Sequence, residues 1–335
     1  MESQIVGRLL TKQNIGLDTA AMPRAGADDV IIKVSSCGIC GTDLAIYRDG
    51  SMPPGTILGH EFSGMITAAG KDVRGLNIGD RVTANPMLLG LGLGRVSGAF
   101  AQHVQISAPR LGENIFKLPD AMADETGALI EPFAVGLHAV TRSRAAPGER
   151  VVIFGAGTIG LCVLAALRAR GVDDILVVEP NEKRLALAAA FGAAALHDPR
   201  QGSARAAAGR RFGEEPVRYC EEPLANADIV FDCAGVRQTL QDGIRALAPN
   251  GRLVLVADPH HAELPDFRLV LLRELEIIGA LAYAQEFVEA IVLLGEGKID
   301  LSPLITHRFA LEDIAEAFRV QLDAAQSVKV LVVPQ

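Results

Sequence analysis

The chain has 335 residues, of which 49% are hydrophobic and 21% are charged, and its formal net charge is −8. This length predicts two domains, and the composition excludes a disordered or fibrous protein. The acidic balance argues against nucleic acid or an anionic membrane as a partner, because both are bound by clustered Lys and Arg. We therefore expect small-molecule partners.

The cysteines predict a reducing environment. Their number is odd, and the first residues lack the basic region and apolar core of a signal peptide, so we expect a cytoplasmic protein without a disulfide framework. The uncharged run 151–167 is short for a membrane span of about 20 residues. Its three glycines favour a buried strand, a turn and a helix. The five cysteines are Cys37, Cys40, Cys162, Cys220 and Cys233.

The first third of the chain contains short β-type runs that are separated by Gly and Pro. Strands at this spacing, with turn residues between them, are typical of a partly open β-barrel. The predicted strands are 31–34, 62–68, 81–83 and 100–106.

A possible metal site lies within this barrel region. Cys40 closes a Cys-x-x-Cys pair with Cys37, and Gly59-His60-Glu61 follows about twenty residues later. A thiolate, an imidazole and a carboxylate can hold Zn²⁺ and leave one position open, as a catalytic site requires. The pair alone also fits a zinc knuckle or a redox site, but no second Cys-x-x-Cys and no thioredoxin-like pattern accompany it. A surface His and Glu remain the alternative for His60 and Glu61.

From residue 147 onwards the pattern changes to alternating strands and helices, which predicts a doubly wound parallel sheet. The segment 197–226 has no clear periodicity. After Gly279, two helices and a strand are expected to return to the first domain. The predicted strands are 150–154, 175–179, 229–232, 252–256, 274–279 and 329–333, and the helices are 160–170, 182–191, 238–247, 287–295 and 311–320.

A glycine loop follows the first strand of this sheet and opens a helix. Its glycines permit a tight turn, a close approach to a pyrophosphate and close packing of helix on strand. Glu179 ends the next strand, where a carboxylate can accept hydrogen bonds from ribose hydroxyls and repel a 2′-phosphate. NAD is therefore favoured over NADP, although Lys183 and Arg184 point the other way. An ordinary glycine-rich turn is the alternative. The loop consists of Gly155, Ala156, Gly157, Thr158, Ile159 and Gly160.

Taken together, these motifs make the chain resemble the zinc-dependent medium-chain dehydrogenase/reductase family, in its sorbitol, threonine and butanediol dehydrogenase branch. The resemblance implies a GroES-like partly open β-barrel catalytic domain over 1–130, a Rossmann NAD-binding domain over 131–280 and a return to the catalytic domain over 281–335. The segments that carry it are 37–43, 59–61, 79–82, 98–101, 131–132, 155–160 and 304–333.

The resemblance also implies roles for residues around the metal. Cys40, His60 and Glu131 resemble the zinc ligands, and Glu61 resembles a carboxylate that exchanges with water on the metal. Thr42 resembles the hydroxyl that bonds the substrate oxygen. Asp43 resembles the acceptor that orients the histidine ligand.

On the cofactor side, the resemblance places Glu179 and Arg184 at the adenosine, Val135 against the nicotinamide and Lys329 at the pyrophosphate. The implied activity is the zinc-assisted transfer of hydride between a secondary alcohol or polyol and NAD. The implied assembly is a homodimer or a homotetramer. A zinc-free quinone or enoyl reductase and a non-catalytic dinucleotide-binding protein are the alternatives.

The sequence departs from the family pattern at two places, and each departure leads to a prediction. The interval Thr83 to Ser97 contains no cysteine where most relatives bind a structural zinc, so we expect one zinc per chain. This segment either lines the substrate cleft or a subunit contact, or packs locally. Ala45 stands where many relatives have a proton-relay histidine, which leaves Thr42 or Glu61 to pass the proton on.

Overall fold

The computed structural model describes residues 2–258 and 266–334. The chain divides into two compact units: unit 1 comprises Met1–Glu131 and Phe287–Gln335, and unit 2 comprises Pro132–Glu286. No helix in the described ranges combines the length and the apolar character that crossing a membrane requires.

The first part of unit 1 is mainly β-structure. Short helices stand where the strand pattern breaks, after a capping residue such as Cys40 or Asn85. The strands are β1 Ser3–Thr11, β2 Asn14–Ala21, β3 Asp29–Gly38, β4 Glu61–Ala69, β5 Arg81–Ala84, β6 His103–Ser107 and β7 Ile115–Lys117, and the helices are α1 Gly41–Asp49, α2 Pro86–Leu89 and α3 Asp124–Ala128.

Unit 2 alternates strands with helices. Its helices are α4 Ile130–Ser143, α5 Thr158–Ala169, α6 Glu182–Ala190, α7 Ala204–Phe212, α8 Arg237–Ala246 and α9 Phe267–Arg273, of which α4 begins two residues before the unit boundary. Its strands are β8 Arg150–Phe154, β9 Asp174–Val178, β10 Ala195–His197, β11 Glu214–Glu215, β12 Leu224–Ala225, β13 Ala227–Asp232, β14 Leu247–Leu255 and β15 Glu276–Gly279.

The chain then completes unit 1. The returning elements are α10 Glu286–Gly295, whose first residue still belongs to unit 2, β16 Ile305–Ala310, α11 Ile314–Leu322 and β17 Lys329–Val333. In the resulting sheet β16, β17, β3, β4, β5 and β7 are neighbours in that order, and β6 pairs with β3. The C-terminal strand β17 thus lies beside β3, whose end leads directly to Cys40.

The six-stranded sheet of unit 2 has the order β10-β9-β8-β13-β14-β15, and its neighbouring strands are parallel. Strand β8 is buried along nearly its whole length, as expected for a strand that is covered on both faces. The order reverses between β8 and β13. Ligands of such sheets bind at this reversal, beyond the carboxyl ends of the strands.

The predicted fold class is confirmed. Several predicted elements differ from the observed ones at their ends, and some observed elements were not predicted. The strand predicted at 100–106 begins only at His103, because the backbone of 98–100 bonds to residues 57–59 instead. Helix α5 begins at Thr158 rather than Gly160, since Gly157 is its N-cap. The hairpin of β1 and β2 was not predicted from the sequence.

Candidate metal centre and dinucleotide site

Cys40 is held in place by reciprocal capping of α1. Its Sγ accepts a hydrogen bond from the backbone N–H of Thr42 at 3.4 Å, and the Asp43 carboxylate accepts one from the N–H of Cys40 at 2.9 Å. Such a capping box satisfies backbone donors that the first helical turn leaves open. The thiol therefore projects from a defined backbone at the end of β3.

Asp43 also connects this helix to the turn that carries His60. Its side chain is fully buried, and Oδ1 accepts a hydrogen bond of 3.3 Å from the N–H of Gly59. The same oxygen lies 3.5 Å from Nδ1 of His60. That nitrogen is buried and has no hydrogen-bond partner at normal geometry. Because a metal-bound histidine commonly directs its other ring nitrogen at a carboxylate, Asp43 is placed to orient the ring of His60.

Cys40, His60 and Glu61 form a cluster. Their potential ligand atoms all lie within 4.8 Å of one another. Within the described ranges, this is the group of His, Cys, Asp or Glu side chains that could hold a metal ion. The donors are a thiol, an imidazole and a carboxylate, which is a set that Zn²⁺ binds well in catalytic sites. The residues thus fit the implied metal.

The ionisable groups of the cluster shift the pKa values of one another. Burial lowers the pKa of His60, but the nearby negative charges of Asp43 and Cys40 outweigh it and raise the pKa well above its usual value. Burial and the Glu61 carboxylate raise the pKa of the Cys40 thiol. Negative groups therefore crowd the site, and a bound cation would stabilise the thiolate that binds a metal.

Lys329 supplies a positive charge at the edge of this cluster. Its ammonium donates hydrogen bonds to Oε2 of Glu61 at 2.5 Å and to the carbonyl of Ile39 at 3.1 Å. Both side chains are almost completely buried. Burial lowers the pKa of Lys329, yet the charges of Glu61, Cys40 and Glu131 raise it overall, so the lysine stays protonated.

Three of the four predicted metal residues are thus brought together. Glu131 is buried in the first turn of α4 and acts electrostatically on Lys329, but it does not belong to the cluster of ligand atoms. Its role as a ligand remains a prediction. Thr42 is exposed on α1, and Ala45 is half-buried one turn further along the same helix.

In unit 2, the predicted glycine loop follows β8 and opens α5. Gly155 has φ +90°, a left-handed conformation that favours glycine, and Gly157 is the N-cap of α5, so Thr158 and Ile159 lie in its first turn. A Cβ on Gly160 would lie 1.9 Å from the carbonyl oxygen of Gly155. The loop can therefore be this tight only with glycine at 160, as a dinucleotide loop requires.

Glu179 is held against this loop at the end of β9. Its carboxylate accepts hydrogen bonds from the N–H of Ala156 at 2.8 Å and from the N–H of Asn181 at 2.9 Å. Arg184 is half-buried in α6, where burial lowers the pKa of its guanidinium and Glu179 opposes that shift. The structure therefore places the acid, the arginine and the loop together in unit 2. Val135 is half-buried in α4.

The segment 83–97, which contains no cysteine, is anchored in unit 1 and leaves part of its apolar surface exposed. Leu91 is fully buried within the core of unit 1, whereas Met87 and Leu88 are 48% and 59% exposed. The backbone of 98–100 bonds to the carbonyls of Ile57, Leu58 and Gly59. Sequence analysis missed this contact and the pairing of Lys329 with Glu61, because neither follows a local pattern.

The sequence matches two family descriptions in chain order. Residues 26–120 match the alcohol dehydrogenase GroES-like domain, and residues 158–296 match the zinc-binding dehydrogenase domain. A sorbitol dehydrogenase from Bacillus subtilis is 30% identical over 96% of this chain and 95% of its own length. The chain belongs to the zinc-type medium-chain dehydrogenases. It is an oxidoreductase of the alcohol and polyol dehydrogenase group.

Other relatives fit the same family. The galactitol 1-phosphate 5-dehydrogenase of Escherichia coli K12 is 32% identical over 92% of this chain and 93% of its own. The crystal structure of 2R,3R-butanediol dehydrogenase from Bacillus subtilis has a TM-score of 0.88, at 30% identity and with both chains fully covered. The expected family is therefore confirmed.

Similar solved structures contain nicotinamide cofactors. A zinc-binding dehydrogenase from Sinorhizobium meliloti, at 29% identity, 100% coverage of both chains and a TM-score of 0.86, is bound to NADP. The rspB protein of Escherichia coli CFT073, at 25% identity, 99% and 100% coverage and a TM-score of 0.86, is complexed with NADH. Zinc and a nicotinamide cofactor are thus supported for this family, with both forms of the cofactor represented.

Proposed function

We propose that this protein binds one catalytic zinc in unit 1 and transfers hydride between a secondary alcohol or polyol and NAD. The observation that carries the proposal is the cluster of Cys40, His60 and Glu61, a thiol, an imidazole and a carboxylate within 4.8 Å of one another. When bound, zinc would supply Lewis acidity toward the alcohol oxygen. The lack of cysteine in Thr83 to Ser97 supports one zinc rather than two.

The surrounding residues then have distinct roles. Asp43 orients His60 and the Cys40 backbone, as a residue beside metal ligands commonly does. Thr42 is exposed, and its hydroxyl accepts the proton of the alcohol as it gives up its own proton to solvent, since Ala45 offers no imidazole for that step. Glu131 completes the ligand set or approaches the metal through water.

We propose NAD as the preferred cofactor and Gly155, Gly157, Thr158, Ile159 and Gly160 as its pyrophosphate loop. The support is Glu179, whose carboxylate sits against the N–H of Ala156 in that loop. A carboxylate at this place favours the ribose hydroxyls and disfavours a 2′-phosphate. Arg184 and Val135 are proposed contacts of the adenosine and the nicotinamide. For Lys329, contact with the pyrophosphate is proposed in addition to its bond to Glu61.

We propose that the protein is a homodimer or a homotetramer. Strand β15 is the edge of the six-stranded sheet, and Ile277 on it is 39% exposed. Unpaired edge strands tend to pair with another chain. The apolar side chains of Phe267, Leu271 and Leu281 lie close to this strand in the sequence and are also exposed.

We propose a catalytic domain of residues 1–130 and 281–335 and a cofactor domain of residues 131–280. We also propose a cytoplasmic location, which the free thiols support.

The test is a substrate screen that records NADH absorbance with diols, sugar alcohols and apolar secondary alcohols. The protein is assayed with and without a chelator, its zinc content is measured, and the assays are repeated on Cys40→Ser. We expect about one zinc per chain, chelator-sensitive activity and loss of both in the variant. Full activity of Cys40→Ser, or no stoichiometric zinc in the active protein, would refute the proposal in favour of a zinc-free reductase.

A further inference from the structure

Gly59 precedes His60 directly, and its conformation sets the direction in which the chain enters the metal cluster. It has φ +92°, a value that residues with a side chain rarely adopt. Its N–H donates to Asp43 at 3.3 Å, and its carbonyl accepts from the N–H of Ala99 at 2.8 Å. These two bonds fix the N–H and the carbonyl of Gly59.

The backbone of Gly59 is also approached closely by Gly92. A Cβ at position 92 would meet three atoms of Gly59: its carbonyl oxygen at 2.2 Å, its carbonyl carbon at 2.7 Å and its nitrogen at 3.2 Å. The backbone of residue 92 therefore lies directly on the Gly59 peptide. Gly98 makes a similar approach, since a Cβ there would lie 2.2 Å from the oxygen of Leu58.

The loop that carries Gly92 is itself well fixed. The N–H of Gly92 bonds to the carbonyl of Val96 at 2.9 Å, and the N–H of Val96 bonds to the carbonyl of Gly90 at 3.0 Å. Leu91 is fully buried in the core of unit 1 and anchors the loop there. The loop can therefore resist a displacement of the peptide on which it rests.

We propose that Gly92 is a positioning residue for the metal centre, which holds the Gly59 peptide and thereby the imidazole of His60. The segment 85–97, which has no cysteine, fixes the metal-binding turn through this close contact of two backbones. The inference rests on the proposed function, because it takes Cys40, His60 and Glu61 to be the zinc site. Residues that orient metal ligands typically change metal affinity by about 10 to 100-fold when they are altered.

The test compares Gly92→Ala with Gly112→Ala. Both glycines have positive φ, but a Cβ at 112 would meet no atom within 4 Å, so the control carries the backbone strain without the collision. Zinc affinity is measured by competition with a chromophoric chelator, and the protein is also loaded with Co²⁺ to record its absorption spectrum. NADH binding to unit 2 serves as a check on folding.

We expect Gly92→Ala to bind zinc at least tenfold more weakly and to shift the Co²⁺ bands, with NADH affinity within twofold of wild type. Gly112→Ala should match wild type in all three. If Gly92→Ala fails to fold, Leu91→Ala, which frees the loop without adding atoms, should show the same loss. Unchanged zinc affinity and an unchanged spectrum in a folded variant would overturn the proposal. So would a failure of both variants to fold, since the contact would then serve folding rather than the ligand.

These outcomes are separable from a failure of the proposed function itself. If wild-type protein binds no stoichiometric zinc, the zinc site is wrong, and the inference falls with it. If wild-type protein binds zinc and loses it in Cys40→Ser, while Gly92→Ala is unaffected, only the role of Gly92 is refuted.

Discussion

The ammonium of Lys329 lies 2.5 Å from Oε2 of Glu61, and the two side chains are 2% and 1% exposed. Both charges are thus removed from water, and each is compensated mainly by the other. The pair also joins the last strand, β17, to the start of β4 within unit 1. The C-terminal segment therefore contributes charge directly to the metal cluster.

Replacing Lys329 by Met should destabilise unit 1 strongly. Glu61 would remain as a buried carboxylate without its partner, and breaking a buried pair in this way typically costs about 3–5 kcal/mol. The free energy of unfolding, measured in urea, should fall by that amount. The exposed pair of Lys298 and Glu296 provides the control, because Lys298→Met should cost less than about 1 kcal/mol. Equal effects of the two substitutions would contradict the assigned role of the buried pair.

The difference between Cys40 and Lys329 shows what the sequence makes visible. Cys40, His60 and Glu61 could be proposed as a site because metal ligands stand in short motifs with recognisable residue types. The partner of Glu61 stands 268 residues away, and a lysine within an apolar strand sequence carries no sign of its contact. Only the pairing of β17 with β3 brings it there.

The fold was predictable where the periodicity of the hydrophobic residues and the position of the turn residues indicated the same element. Strand β8 was predicted from a run of apolar residues, which is buried in the structure. Helix α6 was predicted to begin after Asn181, which is its N-cap. The contact of Gly92 with Gly59 was not predictable, because a close approach of two backbones depends on tertiary structure and leaves only a glycine in the sequence. For the same reason, the strand predicted at 100–106 began too early, since the N–H of Phe100 bonds to the carbonyl of Leu58 instead.

Gly160→Ala should weaken cofactor binding. Its Cβ would lie 1.9 Å from the carbonyl oxygen of Gly155, so the loop before α5 must open. We expect the affinity for NADH to fall at least tenfold, which corresponds to about 1.4 kcal/mol. NADH fluorescence can be titrated without interference from tryptophan, because the chain contains none. Gly279→Ala in β15 is the matched control, since a Cβ there meets nothing within 4 Å. An unchanged affinity in Gly160→Ala would show that the loop is not the pyrophosphate site.

Glu286 should make the stability of unit 2 depend on pH in the acid range. Burial raises its pKa, but a bond to His138, with 2.9 Å between the carboxylate and Nδ1, and bonds from backbone N–H groups outweigh burial and lower the pKa overall. A carboxyl group with a lowered pKa in the folded state stabilises the protein above its unfolded pKa, which is about 4.3 for Glu. That stabilisation is lost as the pH falls through the lower pKa of the folded state.

The variant Glu286→Gln should therefore lose about 1–2 kcal/mol at pH 7 and show a weaker loss of stability below about pH 4.5 than wild type. Urea unfolding at several pH values from 7 to 3 would reveal the difference. Glu221→Gln, at an exposed position of the same unit, should follow the wild-type curve. Parallel curves for Glu286→Gln and wild type would mean that the pair contributes nothing to this dependence.

Asp43→Asn and Thr42→Val should separate metal positioning from proton transfer, although the two residues are adjacent on α1. Asp43 is buried and bonds the backbone of both Cys40 and Gly59, so its loss of charge should weaken zinc affinity about 10 to 100-fold. Thr42 donates only its backbone N–H to the Cys40 sulfur, and Val retains that group. Thr42→Val should keep its zinc and lose about 10²-fold or more in kcat with an alcohol substrate. Zinc content and kcat measured on both variants would check this. Loss of zinc from Thr42→Val, or full activity in it, would contradict the proposed role of the hydroxyl.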